Sequence, residues 1–154
     1  MQSFGYGHHG AGMKKSASSN NLADSDTWFC LDLLAVQVSI AQGNFRIARV
    51  CAKSLLAHVR ENLTRAQNAT LEMLQRPSFV TVVRWRARER CVLAMLAHVH
   101  EKDGDILQAL KLYQHVIRKL CPTQEERSIK FVCLSHLHAF YLRNGILDEA
   151  KIIL

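Results

Sequence analysis

The sequence predicts an all-α fold in which antiparallel helical hairpins, about six helices in all, stack as a short solenoid. Apolar residues recur with helical spacing along most of the chain after residue 27. A glycine followed five residues later by an alanine interrupts this pattern three times, at Gly43 and Ala48, Gly104 and Ala109, and Gly145 and Ala150. Glycine readily closes a helix in the left-handed conformation, and a small alanine one turn later lets the next helix approach closely.

Composition and length indicate one globular domain. The chain has 154 residues, of which 49% are apolar and 21% charged, an ordinary balance for a globular protein. Its longest apolar run, residues 91–99 with His98 inside it, is far shorter than the roughly 20 residues that a helix needs to cross a bilayer. The N-terminus lacks the apolar core of a secretory signal, and five widely spaced cysteines fit reduced thiols. We therefore expect a cytoplasmic protein with a disordered tail over residues 1–26 and a helical-repeat domain over residues 27–154.

The first two helices are predicted from a capping residue and a glycine turn. Thr27 can cap a helix over residues 28–42. The residues predicted for its buried stripe are Leu31, Leu34, Ala35, Val38 and Ala41. The second helix covers residues 45–74 and ends before Pro77. Because so long a helix is unusual in a globular protein, the sequence leaves open an interruption over residues 62–68.

The next two helices are predicted between two prolines. Ser78 can cap a third helix over residues 79–100, and the stretch over residues 91–99 is apolar on every side. A helix that is apolar all round packs on more than one face. The fourth helix, over residues 106–120, has one apolar stripe and a polar back, and Pro122 follows as a stop signal.

The last two helices follow a capping box. Thr123 and Glu126 have the spacing at which each side chain caps the backbone of the other, so a fifth helix is predicted from there to Arg143. The residues predicted for its buried face are Phe131, Leu134, Leu137 and Tyr141. A sixth helix is predicted over residues 146–154.

The glycine and alanine positions belong to a repeat that is clearest in the middle of the chain. The residues predicted to pack within and between its units are Gly43, Ala48, Leu93, Leu96, Ala97, Gly104, Ala109, Tyr113, Leu134, Leu137, Tyr141, Gly145 and Ala150. This pattern resembles the tetratricopeptide repeat, whose helix-turn-helix units place small and large residues at such positions.

A second resemblance covers roughly residues 33–154. The residues that carry it are Gly43-Asn44 before a long helix, Trp85-Arg86-x-Arg88 after a variable stretch, and Tyr113-x-x-Val116-Ile117 in the next repeat. In this order the chain resembles the C-terminal repeat region of the family of subunit twelve of the trafficking protein particle (TRAPP) complex. The resemblance implies a subunit of a multiprotein tether that acts between the endoplasmic reticulum and the Golgi.

No catalytic, cofactor or metal site is predicted. The sequence contains no nucleophile motif and no phosphate-binding glycine loop. His98 and His100, like His136 and His138, lie two residues apart and therefore about 200° apart around a helix, so neither pair can hold one metal ion. We therefore expect a binding scaffold that is not an enzyme and has no cofactor.

Two groups of residues are candidates for binding a partner. Arg84, Arg86, Arg88 and Arg90 lie together in a chain of formal charge +7. They form either a solvated helix surface or a basic face for an acidic partner, membrane phosphate or RNA. The second group, at the C-terminal end, consists of Ile152, Ile153 and Leu154. Because these three have no polar cap, we expect another subunit or further sequence to cover them.

The expected partners are other protein subunits of a multiprotein complex at endoplasmic reticulum or Golgi membranes. Peripheral contact with an anionic membrane is left open by the positive charge. The alternative is a basic helical-repeat adaptor for RNA or another acidic partner. Nucleic acid is not expected, because aromatic residues make up only 7% of the chain and offer little surface for stacking bases.

Overall fold

The computed structural model describes residues 20–73 and 76–153, and all regular structure within these two stretches is helical. Six helices follow one another: α1 (Asn20–Ala41), α2 (Phe45–Met73), α3 (Arg76–Lys102), α4 (Ile106–Arg118), α5 (Gln124–Arg143) and α6 (Leu147–Ile153). The predicted all-α fold of about six helices in hairpins is confirmed.

One kind of turn joins α1 to α2, α3 to α4 and α5 to α6. Gly43, Gly104 and Gly145 have φ angles of 73°, 83° and 70°, which is the left-handed region that favours glycine. In each turn the glycine N–H donates to the carbonyl three residues earlier, and the next N–H donates to the carbonyl five residues before it. This is the Schellman arrangement, which satisfies the last carbonyls of a helix and directs the chain into the next one.

A buried alanine follows each of these turns. Ala48, Ala109 and Ala150 are almost fully buried, and each backbone N–H makes one of the first hydrogen bonds of its helix. Since a methyl group is the whole side chain at these positions, the two helices of each hairpin can pack closely near the turn.

The helices pack in chain order, each against the next, with the odd-numbered helices on one side. Within the described residues α1 contacts α3 and α3 contacts α5, whereas α2 makes no such contact with α4. The helices α1, α3 and α5 therefore lie along one side of the stack, which we call its inner side, and α2 and α4 lie along the other, its outer side.

Helix α3 is the centre of the core, as its apolar surface predicts. Its buried residues include Val92, Leu93, Leu96, Ala97 and Val99, and it packs against α1, α2, α4 and α5. A helix with neighbours on several sides needs apolar side chains all round.

Helix α1 differs from the prediction at its start and in its orientation. It begins at Asn20, so Thr27 lies inside the helix and does not cap it. Of the predicted tail, residues 1–19 lie outside the described residues. The predicted buried stripe is wrong: Leu31, Leu34 and Val38 are exposed. The residues that face the core are instead Phe29, Leu33, Val36 and Ile40.

Helix α2 is continuous, and helix α3 begins earlier than predicted. Helix α2 continues from Phe45 to Met73, without an interruption over residues 62–68. Helix α3 begins at Arg76, so Ser78 lies within its first turn and is not the capping residue. Pro77 is the second residue of the helix, where the N–H that proline lacks would have no partner within the helix.

Helix α5 begins with the predicted capping box. The Glu126 N–H donates to Thr123 Oγ1 at 3.2 Å, and the Thr123 N–H donates to Glu126 Oε2 at 3.1 Å. The predicted buried face is wrong for Phe131, which is 70% exposed, whereas Leu137 is buried. The side of the helix that faces the core contains Cys133. Phe131 lies about 200° around the helix axis from Cys133 and therefore points to solvent. Leu134 and Tyr141 are half-buried at the margin of the core.

Candidate functional site

The clearest candidate for an interaction surface is the side of α1 that points away from the core. It consists of Trp28, Leu31, Leu34 and Val38, which we call the outer α1 face. Trp28 is 66% exposed, and the other three side chains are about half exposed. Because four large apolar side chains share one helix face, this surface differs from the single apolar residues that are common on proteins.

The outer α1 face lies opposite the residues that hold α1 in the fold. Phe29, Leu33, Val36 and Ile40 contact the core, and they lie on average about 180° around the helix from the outer α1 face. A helix with an apolar stripe on both sides is typical of one that packs between two neighbours.

The few charges on this helix are all negative. Residues 20–41 contain no lysine, arginine or histidine, and their charged residues are Asp24, Asp26 and Asp32. Asp26 forms ion pairs with Arg84, at 3.4 Å, and with Arg88. Large apolar and aromatic side chains with few charges are the composition found at the centre of protein interfaces.

The four candidate arginines do not form one basic face. Arg88 is only 8% exposed. Its guanidinium lies 4.5 Å from the centre of the Trp85 ring and 5.0 Å from that of Phe29, and burial lowers its pKa. Arg88 therefore holds α1 against α3, through cation–π contacts and its ion pair with Asp26.

Arg90 is also buried, on another side of α3. Its guanidinium lies 3.3 Å from the carboxylate of Glu126, which is 1% exposed. Arg84 is partly exposed and Arg86 is exposed. The hypothesis of a basic docking face is therefore corrected for Arg88 and Arg90, because both side chains join helices of the fold and do not face solvent.

A groove of about 450 Å³ runs between the inner helices α1, α3 and α5. Its lining includes Ile40, Met95, Tyr113, Ile129, Val132 and His136, with the Cys91 and Cys133 thiols. The lining is mostly apolar, and polar groups approach it where His98 and His136 meet.

The carboxylate of Glu101 collects several polar side chains beside this groove. Tyr113 donates a hydrogen bond to Glu101 Oε2 at 3.0 Å, and Arg143 donates to Glu101 Oε1. The Nδ1 atoms of His98 and His136 lie 3.7 and 3.9 Å from Glu101 Oε2. We call these five residues the Glu101 cluster; they come from α3, α4 and α5.

The environment fixes the protonation of two members of the cluster. Burial, with the neighbouring His136, lowers the pKa of His98, so its imidazole is neutral at pH 7. Burial and the charge of Glu101 raise the pKa of Tyr113, so its hydroxyl keeps the proton that it donates. Nδ1 of His98 is buried and makes no hydrogen bond to any part of the chain that the structure describes.

Sequence reasoning missed both the outer α1 face and the Glu101 cluster. The stripe of Leu31, Leu34 and Val38 was predicted to be buried, although Phe29, Leu33, Val36 and Ile40 form an equally good stripe. For the cluster, the spacing of His98 and Glu101, three residues apart on one face of a helix, is a usable signal.

The C-terminal candidates cannot be placed. The side chains of Ile152 and Ile153, and the whole of Leu154, lie outside the described residues. Helix α6 is described to Ile153 as backbone, and Ala150 packs its start into the fold.

The chain was compared with protein families, curated proteins and solved structures. No protein-family model, no curated protein and no solved structure matches this chain. As for membranes, none of the helices in residues 20–73 and 76–153 combines the length and the apolar character that a bilayer crossing requires.

Proposed function

We propose that this protein is a non-catalytic scaffold for protein–protein interaction, and that a partner protein packs a helix on the outer α1 face. The observation that carries the proposal is the exposure of Trp28, Leu31, Leu34 and Val38 on a helix whose opposite side is already packed. Exposed apolar patches of this kind mark sites of association on soluble proteins.

The spacing of these residues favours a helical partner. Ala35, beside Leu34, is exposed as well, and with it Trp28, Leu31 and Val38 form a series at intervals of three, four and three residues. This is the alternation that lets two helices interlock their side chains along a shared seam. The partner of the outer α1 face is therefore an amphipathic helix with its own apolar stripe.

The resemblance to subunit twelve of the TRAPP complex supports a more specific proposal. We infer that the partners are other subunits of a vesicle-tethering complex, and that the protein acts in the cytoplasm between the endoplasmic reticulum and the Golgi. A stacked-hairpin protein suits such a role, because it presents broad surfaces and its units are stabilised by contact with neighbours.

The alternative function, a basic adaptor for RNA or another acidic partner, is less favoured. It depended on the formal charge of +7. Of the four arginines that lie closest together in the sequence, Arg88 and Arg90 are buried in contacts with α1 and α5. Affinity purification distinguishes RNA binding from protein binding by what co-elutes with the chain.

The test is affinity purification of the full chain from cells, followed by identification of the proteins that co-elute. The variant Trp28→Glu/Leu31→Glu places two charges on the outer α1 face. A matched control is Leu107→Glu, because Leu107 is exposed to a similar degree but lies on α4. We expect subunits of a vesicle-tethering complex with the unchanged chain and with the control, and their loss with the double variant.

Binding of the identified partner is then measured with purified proteins. We expect the double variant to weaken binding at least about 100-fold, since charges in an apolar interface centre are strongly unfavourable. Equal binding by the double variant would refute the docking face. Co-elution of RNA alone, lost at high salt, would instead favour the acidic-partner function.

A further inference from the structure

We propose that the imidazoles of His98 and His136 and the carboxylate of Glu101 form a binding site for one Zn²⁺ ion. The site is independent of the outer α1 face. It departs from the sequence-based expectation that the chain has no metal site, which considered only pairs of histidines on the same helix.

The distances within the cluster are close to those of a zinc site. One ligand atom from each of the three residues lies within 4.8 Å of the other two. Ligands arranged tetrahedrally around zinc at roughly 2.0–2.1 Å lie about 3.3–3.4 Å apart. The two distances from Nδ1 to Glu101 Oε2 are 3.7 and 3.9 Å, so both would have to shorten when the ion binds, and the two imidazoles would have to close around it.

The ligand types point to zinc. Two imidazole nitrogens with one carboxylate are a ligand set that zinc favours, whereas Mg²⁺ and Ca²⁺ prefer oxygen atoms alone. Three protein ligands leave a fourth position. His98 and His136 also line the groove between α1, α3 and α5, so a water molecule would approach a bound ion from this groove.

The cluster also contains groups that orient a ligand. Tyr113 donates to Oε2 of Glu101 and Arg143 donates to Oε1. Each carboxylate oxygen has two lone pairs, so Oε2 can accept the hydrogen bond from Tyr113 with one and bind a metal ion with the other. Such hydrogen bonds to a ligand are typical of metal sites. The positive charge of Arg143 opposes the metal, and the exposure of that side chain to water reduces this repulsion.

A buried nitrogen without a hydrogen-bond partner is the second observation that favours the site. Nδ1 of His98 is shielded from solvent, and at 3.7 Å from Glu101 it is too far away for a hydrogen bond. An unsatisfied buried polar atom lowers stability. A metal ion between the three residues would use this lone pair and would join α3 to α5.

The first measurement is titration of the full, reduced, metal-free chain with Zn²⁺ by calorimetry. We expect one equivalent to bind and the thermal unfolding temperature to rise, because the ion binds only the folded arrangement. Replacing Zn²⁺ by Co²⁺ should give the visible absorption of a tetrahedral site without a thiolate-to-metal charge-transfer band. Absence of binding, or a thiolate band that places the metal on cysteines, would overturn the proposal.

Variants assign the binding to the cluster. His136→Gln should weaken binding more than about 100-fold, and Tyr113→Phe, which removes only the hydrogen bond to Glu101, about 10-fold to 100-fold. His115→Gln is the control, because His115 is exposed on α4, and its affinity should not change. His136 is 38% exposed, so its variant is expected to fold, which circular dichroism verifies. Unchanged affinity in folded His136→Gln would refute the site.

Discussion

At the scale of single residues, buried charged groups hold the inner helices together. Arg88 lies between the rings of Phe29 and Trp85 and pairs with Asp26, so that α1 is fixed to α3. Arg90 pairs with Glu126 and thereby joins α3 to the start of α5. These contacts explain why two arginines of an apparently basic segment are unavailable to a partner.

Replacing Arg88 by alanine should lower the free energy of unfolding by about 2 kcal/mol, since the variant loses two cation–π contacts and a partly buried ion pair. The matched control is Arg86→Ala on the same helix, where the side chain is exposed; its effect should stay within about 0.5 kcal/mol. Urea unfolding measures both. Equal effects of the two substitutions would contradict the structural role of Arg88.

The Cys133 thiol provides a pH-dependent prediction. Burial, with smaller effects of Cys91 and Cys121, raises the pKa of Cys133 to about 12. Above the pKa of an unfolded cysteine, near 8.5, the unfolded chain releases this proton while the folded chain keeps it. The protonated Cys133 thiol therefore makes its full contribution to the free energy of unfolding below pH about 8.5. This contribution is lost as the pH rises towards about 12.

Urea unfolding at pH 8 and pH 10 tests this sign. From the lower to the higher pH, the unchanged chain should lose about 1–2 kcal/mol more stability than Cys133→Ala. Alkylation gives a second readout, because the exposed Cys30 should react well before Cys133 in the folded chain. An identical pH dependence in both proteins would show that Cys133 titrates normally.

At the scale of helices, the ends marked by glycine were predictable, whereas the starts of α1 and α3 and several buried faces were not. Gly43, Gly104 and Gly145 mark helix ends because the conformation they adopt is a local property of the chain. The face that a helix buries depends on its neighbours. Helix α1 carries two apolar stripes, and only packing against α2 and α3 selects the one that contains Val36.

Substitutions at Gly104 measure how much its left-handed backbone conformation contributes to stability. Apart from its two chain neighbours, none of the described residues has an atom within 4 Å of a methyl group added there, so the strain comes from the positive φ of 83°. Gly104→Ala should therefore lower the free energy of unfolding by about 1 kcal/mol, and Gly104→Asn by less, because asparagine tolerates this conformation better. Thermal and urea unfolding of both variants would reveal this order. An alanine variant as stable as the unchanged chain would contradict it.

At the scale of the whole molecule, the sequence predicted an array of hairpins but not the surfaces that it presents. The Glu101 cluster needs His136 from α5 beside His98 from α3, and these residues are far apart in sequence. They meet because α3 packs directly against α5 on the inner side of the stack. The exposed face of Trp28 likewise became visible only when the other side of α1 was seen to pack against the core.

The most direct test of the account is hydrogen–deuterium exchange of the chain alone and in complex with its purified partner. If a partner helix packs on the outer α1 face, amide exchange should slow within Asn20–Ala41 and stay unchanged within Ile106–Arg118, on the outer side of the stack. Unchanged exchange throughout α1 in a saturated complex would contradict the proposed docking surface.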